Sequence, residues 1–512
     1  MTSERGAMHM KARRKMVFWL ERVFGVLYVA FSLCLLYCTL DRWQWGRTDI
    51  LRIVGILCAV ILFAVFFAFQ SGSIALEKRL LNAVSIFILS LGVHLFMVLL
   101  IGQDIEQASD FKYALETAML DFPLTETIIN YRVFSNWAIY PLYLKILQDI
   151  FGYGPLTVMI SNAVLSAISS ALVFALCNLW VRNDRIGYMA ALLYTFWPSN
   201  MIYVVIMSPE FVNIVLTLAF FVLLGMIMKF CNRKYVYGLV VLAGFDLCLS
   251  GFFKSIDKII LIDMCIVLVL LLIKKADFKL PAQHKLSGKL FSLVVVFVLS
   301  YLLSNKLIYV GLDYAYGAPL NRNPTAHFIC VGLNPETYGT WNEKWGGVYT
   351  KNVIDCGFDF EAAADLTFQQ LVEQIEEKDY LTWNYFEEKF KIAWEDFTGE
   401  MWWVDHSLEE ESFFLRKGNW LGQIFDVMQC FWVLICFLVF MDALYFLKDP
   451  DEYHLVICLI LFGFALLLAI SEVQGRYKCV VYPYMAVLAA QGLEKLIGCI
   501  KRYIVFGMKH MD

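Results

Sequence analysis

Long apolar runs separated by short basic loops constrain this chain more than any other feature, because a water-soluble domain has no place for so many of them. A helix needs about 20 mostly apolar residues to cross the hydrocarbon. Runs of that kind begin near residues 17, 50, 82, 154, 186, 211, 236, 258, 288, 421, 454 and 477. Composition agrees: 60% of residues are hydrophobic and 17% charged, with a mean hydropathy of +0.64. The expected fold class is an all-α polytopic membrane protein with about 12 transmembrane helices. The runs near 236 and 258 are parted only by Phe253-Lys254-Ser255-Ile256-Asp257, and a long hairpin there would preserve the same topology.

Two stretches interrupt the pattern. Residues 102–153 form a first polar loop, and residues 306–420 form a large hydrophilic block. The chain therefore divides into a transmembrane region over 1–305 that includes the first loop, a large loop over 306–420, and C-terminal helices over 421–512. Basic residues set the orientation. Arg13, Arg14 and Lys15, then Lys78 and Arg79, Arg182 and Arg185, Lys229, Arg233 and Lys234, Lys274 and Lys275, Lys448, and Lys501 and Arg502 fall on one side. Both termini are then expected in the cytoplasm of a multi-pass plasma-membrane protein, with the two loops outside. The N-terminal apolar run is long and lacks a small-residue cleavage site, so it reads as a retained first helix.

The net charge of −4 gives no reason to expect nucleic acid, and the bilayer is the expected partner. Most of the 14 cysteines lie in apolar runs, where they act as small hydrophobes. Only Cys330 and Cys356 lie in the large loop, either as a disulfide on an oxidising face or as two free thiols. Neither internal repeats nor low-complexity tracts are present, which argues against transporters built from duplicated halves.

Chemistry concentrates at the outer ends of the runs. Gln103 through Leu120 predicts a short helix with Asp110, Tyr113 and Thr117 on one face. Beyond it, Trp137, Tyr140, Pro141, Tyr143 and Lys145 form an aromatic stretch suited to the headgroup zone. Four more polar clusters fall at the same depth: Ser208-Pro209-Glu210, Lys254 with Asp257, His327, and Glu472-Val473-Gln474-Gly475-Arg476-Tyr477. Any one of them can be a snorkelling anchor, whereas several at one depth point to a site. Proline before Glu210 favours a helix start there, and the forked guanidinium of Arg476 suits a phosphate. In the large loop, Trp383, Phe386, Phe390, Ala393, Trp394 and Phe397 make one helical stripe, either covering a small extramembrane core or lying in the interface. The run from Gly332 to Asn342 predicts ordered irregular backbone.

Taken together, Asp110, the Tyr140-Pro141-Leu142-Tyr143 stretch, Glu210 and the late large loop resemble the GT-C membrane glycosyltransferases, in the branch related to protein O-mannosyltransferases. The run from His327 to Asn334 with Gly339 and Asn342, and Gln474-Gly475-Arg476-Tyr477, are similar to bacterial members of that branch. The resemblance extends from about residue 80 onward. It departs from the family at Phe111, where relatives often carry a second acidic residue beside the first, and in two spans preceding the helix that leads to Asp110.

The resemblance implies transfer of a sugar from a polyprenyl phosphate to an acceptor hydroxyl of a protein, glycan or glycolipid on the outer face, with inversion. Asp110 would be the general base. Arg476, then Lys254 and His327, would stabilise the departing phosphate. Glu210 would bind sugar hydroxyls or hold a basic partner, with Tyr113 nearby as a further substrate contact. The lipid-linked sugar is the donor, and a divalent cation stays open. The competing expectation is a transporter or flippase for a lipid-linked or small polar solute, which would gather polar residues in mid-span. Asp246 and Asp263 are the two residues that fit it.

Overall fold

A computed structural model describes residues 2–41, 76–124, 128–275, 283–409, 412, 420–450 and 452–509. Among them the chain is helical throughout, and the one β-bridge pairs Ile105 with Leu408. Seven described helices are long and apolar enough to cross a membrane: Trp19–Asp41, Arg79–Asp104, Pro155–Leu179, Glu210–Lys229, Val236–Phe253, Lys289–Ala315 and Leu421–Phe446. His454–Ile470 is a shorter apolar helix.

The expected spans differ from these in identifiable ways. The run near 50 lies outside the described residues. The run near 186 is two short helices, Asp184–Thr195 and Pro198–Tyr203, because Pro198 holds Trp197 in extended backbone and ends the first helix. The runs near 236 and 258 are separate helices, Val236–Phe253 and Asp257–Lys275. They part company beyond the link between them: the first packs on Glu210–Lys229 and on Gln283–Ala315, the second on Glu452–Ile470. The run near 477 opens as a seven-residue 3-10 stretch, Gly475–Val481, before the helix Tyr482–Lys509. The boundary expected at 305 and 306 falls inside the helix Gln283–Ala315, since Lys306 is a lone charge in an apolar stretch whose long stem lets a helix continue.

Helices in lipid gain little from apolar burial and associate through close packing. Gly244 shows this: a Cβ there would stand 2.8 Å from Ser300 Cβ and 2.9 Å from the Phe297 carbonyl on the Gln283–Ala315 helix. Ser300 Oγ in turn donates to the Val241 carbonyl at 2.7 Å.

The two polar loops meet at one end of the bundle, here termed the loop face. Glu106 N donates to the Ser407 carbonyl at 2.8 Å, and Glu409 N donates to the Asp104 carbonyl at 2.9 Å, so the first loop is stitched to the end of the large one. In the large loop, Asn334 organises the irregular run. Its Oδ1 accepts from Glu336 N at 3.1 Å and Thr337 N at 2.9 Å, and its Nδ2 donates to the Val331 and Thr340 carbonyls. That run docks on the segment leading to Arg476, with Val473 N donating to the Gly339 carbonyl at 2.9 Å. The aromatic stripe forms the helix Trp383–Trp394, whose Phe390 and Trp394 pack edge-on against Phe31 of the first span while Trp383 stays exposed. Cys330 and Cys356 are both free thiols, packed into different small cores of the loop.

Candidate functional site

Arg476 occupies the centre of the loop face, because the 3-10 stretch that carries it is wedged between the large loop and the span ends. Gly399 and Gly475 pass so closely that a Cβ on Gly399 would stand 2.6 Å from Arg476 N, a contact only glycine allows. Two residues on, the fully buried Lys478 donates to the Gly475 carbonyl at 2.9 Å and faces Glu400 at 3.8 Å. Glu400 also accepts from the Tyr482 hydroxyl. This buried pair pins the stretch from behind.

In front, the Arg476 guanidinium is walled by the rings of Trp403, Phe111 and Tyr477 at 4.6, 5.1 and 5.3 Å. Its Nε donates to Gln474 Oε1 at 2.8 Å, and its Nη1 to Glu210 Oε1 at 3.3 Å and the Tyr203 hydroxyl at 3.5 Å. Nη2 takes part in none of these bonds. Glu210, 1% exposed, is the first residue of the helix Glu210–Lys229, where the helix dipole favours a carboxylate. It accepts from Ser208 Oγ and from Lys254 Nζ, the latter at 3.2 Å. Lys254 follows the Val236–Phe253 helix and rests its ammonium 3.6 Å over the Tyr477 ring. Burial lowers its pKa, and Glu210 opposes that shift. Next to them, Glu472 accepts from Gln474 Nε2 at 2.7 Å and the Tyr477 hydroxyl at 3.0 Å. Burial raises its pKa against those two bonds.

Asp110 lies in the first turn of the helix Ser109–Ala118, which begins at Ser109 with a φ of +48°. A left-handed conformation costs a non-glycine residue energy and collects at functional sites. Gln107 fixes this turn to the Glu210 side: its Nε2 donates to the Val205 carbonyl and its Oε1 accepts from Met207 N, both at 2.9 Å. Burial raises the Asp110 pKa, while the charges of Arg476 and Lys254 pull it down. Of the face expected on this helix, Tyr113 stacks on Tyr131 at 5.6 Å and is 37% exposed, whereas Thr117 turns inward and bonds the Tyr113 carbonyl.

Two cavities meet at these residues. One, of about 1230 Å³, opens among the polar loops and is lined by Tyr113, His327, Trp341, Trp402 and Glu472 among others. The second, of about 750 Å³, runs along span ends past Phe252, Ile262, Phe464 and Leu467 to Glu210, Lys254 and Arg476. Asp110, Tyr131, Trp137, Phe328 and Glu472 line both.

Asp110, Glu210, Lys254 and Arg476 are thus brought together around the second cavity, and Tyr113 lines the first. His327 stands apart from the cations. Its ring sits 4.5 Å from Phe134, burial pushes its pKa down to about 4, and Nδ1 has no hydrogen-bond partner, so it faces the outer cavity as a neutral group. Asp246 and Asp263 are buried in or beside spans with an unbonded Oδ2 each, and line neither cavity. Among the described residues no three His, Cys, Asp or Glu side chains gather as a metal site.

Sequence reasoning missed Tyr203, Gln107, Trp403, Lys478 and Glu400. Lys478 carried a signal, a third polar residue within Gln474-Gly475-Arg476-Tyr477-Lys478; the others carried none.

No protein-family profile matches this chain, and no curated protein does. Among solved structures it is similar to ArnT from Cupriavidus metallidurans bound to undecaprenyl phosphate. That similarity amounts to 11% identity over 82% of this chain and 78% of the other, with a TM-score of 0.33. A likeness this distant carries no functional inference.

Proposed function

We propose that the chain is a GT-C-type membrane glycosyltransferase, of the branch related to protein O-mannosyltransferases, moving a sugar from a polyprenyl phosphate to an acceptor hydroxyl on the extracytoplasmic face. One observation carries the reading: the buried pair Arg476 and Glu210, joined by the half-buried Lys254, stands where an apolar groove at span ends meets a polar outer cavity, with Asp110 lining both. A lipid chain suits the groove, its phosphate suits the two cations, and its sugar then projects toward Asp110.

The acceptor oxygen attacks the anomeric carbon from the side opposite the phosphate, the bond from that carbon to the phosphate oxygen breaks, and the electron pair leaves on the phosphate. Asp110 takes the hydroxyl proton, and its raised pKa suits a base. Arg476 and Lys254 balance the charge on the departing phosphate in a preorganised setting. Glu210 holds both cations in place. A single displacement inverts the anomeric centre.

The test is turnover of radiolabelled polyprenyl-phosphate sugars by purified protein in nanodiscs. Wild type is expected to release the lipid phosphate, and Asp110→Asn to bind donor while turning over about 10²–10⁴-fold more slowly. Turnover that survives the substitution removes Asp110 as the base. Donor that crosses the bilayer without turnover favours the transporter.

A further inference from the structure

The outer cavity has a surface that the donor reading does not use. Trp341 and Trp402 line it with 53% and 50% of their surface exposed, and Trp137 and Tyr113 with 40% and 37%. Trp402 is fixed by stacking on His406 at 4.7 Å and by the edge of Trp403 at 5.0 Å. Trp341 lies against Gly346, where any side chain would strike the indole. These are held rings with open faces, and the negative face of an aromatic ring attracts the polarised C–H groups of a sugar.

The cavity is also acidic. Glu343, Glu388, Glu395 and Asp396 line it against one ammonium, Lys391, which already faces Glu387 and Glu388 at 3.1 Å each, while Asp110 and Glu472 also line it and feel the charges of Arg476 and Lys254. An anionic ligand would meet like charge there. His327 adds an independent sign of a ligand: it is 6% exposed, lines the cavity, and keeps Nδ1 without a hydrogen-bond partner, a vacancy that a hydroxyl fills. At about 1230 Å³ the space exceeds the roughly 300–1,000 Å³ of small-molecule pockets, so it has room for more than one sugar ring.

We infer that this cavity is the acceptor site and that the acceptor is a glycan without net negative charge, neutral or amine-bearing, stacked on Trp402 and Trp341. The inference rests on the transferase reading and names its acceptor class.

Binding measured without donor tests it. Purified protein in nanodiscs is titrated, by tryptophan fluorescence and calorimetry, with a neutral chitin hexasaccharide, its de-N-acetylated amine form, a galacturonate hexasaccharide and a Ser/Thr-rich peptide. The neutral and amine probes are expected to bind, the uronate about tenfold or more weakly. Trp402→Ala and Trp341→Ala should each lose about tenfold while the protein stays folded, and Glu343→Gln should narrow the gap for the uronate. Equal binding of the uronate, tighter binding of the peptide, or undiminished binding by both tryptophan variants overturns the inference. Polyprenyl phosphate is titrated in parallel: a protein that binds the lipid and none of the saccharides refutes the acceptor assignment alone, and one that binds neither refutes the transferase reading with it.

Discussion

Ionisable residues cap the helices at both ends of the bundle, and the two ends use them differently. Away from the loop face, Arg79 pairs with Asp184 at 3.1 Å with side chains 40% and 13% exposed. Arg185 faces Glu494 at 3.5 Å, 30% and 25% exposed. At the loop face, Arg476 and Glu210 pair at 3.3 Å with 5% and 1% exposure. The first arrangement is that of anchors at a wet interface, worth little. The second removes charges from water at a cost that good geometry only partly offsets, and it borders cavities. Burial alone does not separate a site from a belt of anchors, since Asp442 at the opposite end is also buried between Lys495 and His454 and lines neither cavity; burial beside a cavity does.

That contrast can be broken in order of effect. Glu210→Gln leaves the buried Arg476 and the half-buried Lys254 without their shared carboxylate; a loss of about 3–5 kcal/mol in unfolding free energy is expected, read from denaturant or thermal unfolding in detergent. Arg476→Lys keeps the charge but loses the fork that reaches Gln474 and Glu210 together. Donor turnover should fall by about 10²–10³-fold with the protein still folded.

Lys389 gives a pH test. It is 2% exposed and donates to the Gly332 carbonyl, and burial, against the charge of Glu472, pushes its pKa down to about 7. Between about 7 and the ordinary lysine range the unfolded chain binds a proton that the folded chain does not, so stability rises with pH across that window. Lys389→Met is expected to flatten that slope in thermal midpoints measured from pH 7 to 10. Smallest of all, Arg79→Gln at the opposite end should cost less than about 1 kcal/mol and leave donor turnover unchanged.

What could be read from sequence follows from locality. Glu210 and Lys254 each break an apolar context at the end of a run, so hydropathy exposes them, whereas Asp110 and Arg476 stand in polar stretches and are picked out by a helix face, a phosphate-binding side chain and the family resemblance. Gln107 reaches the Val205 carbonyl across almost a hundred residues, and Glu400 meets Tyr482 across 82; pairings of that range leave no mark in a single chain. Hydropathy also misjudged the run near 186, where one proline turns an apparent span into two short helices whose buried Tyr203 reaches Arg476. The surroundings of His327 are equally non-local: the rings of Phe134, Phe328 and Tyr349 gather around it, and burial lowers its pKa to about 4.

The most direct test of the account is a cryo-electron microscopy structure of the protein in nanodiscs with polyprenyl phosphate. The account predicts the phosphate within hydrogen-bond reach of Arg476 and Lys254, with the lipid chain along Phe252, Ile262 and Leu467. A lipid phosphate seated at the opposite end of the bundle, beside Arg79 and Arg185, with the loop-face groove empty, would contradict it.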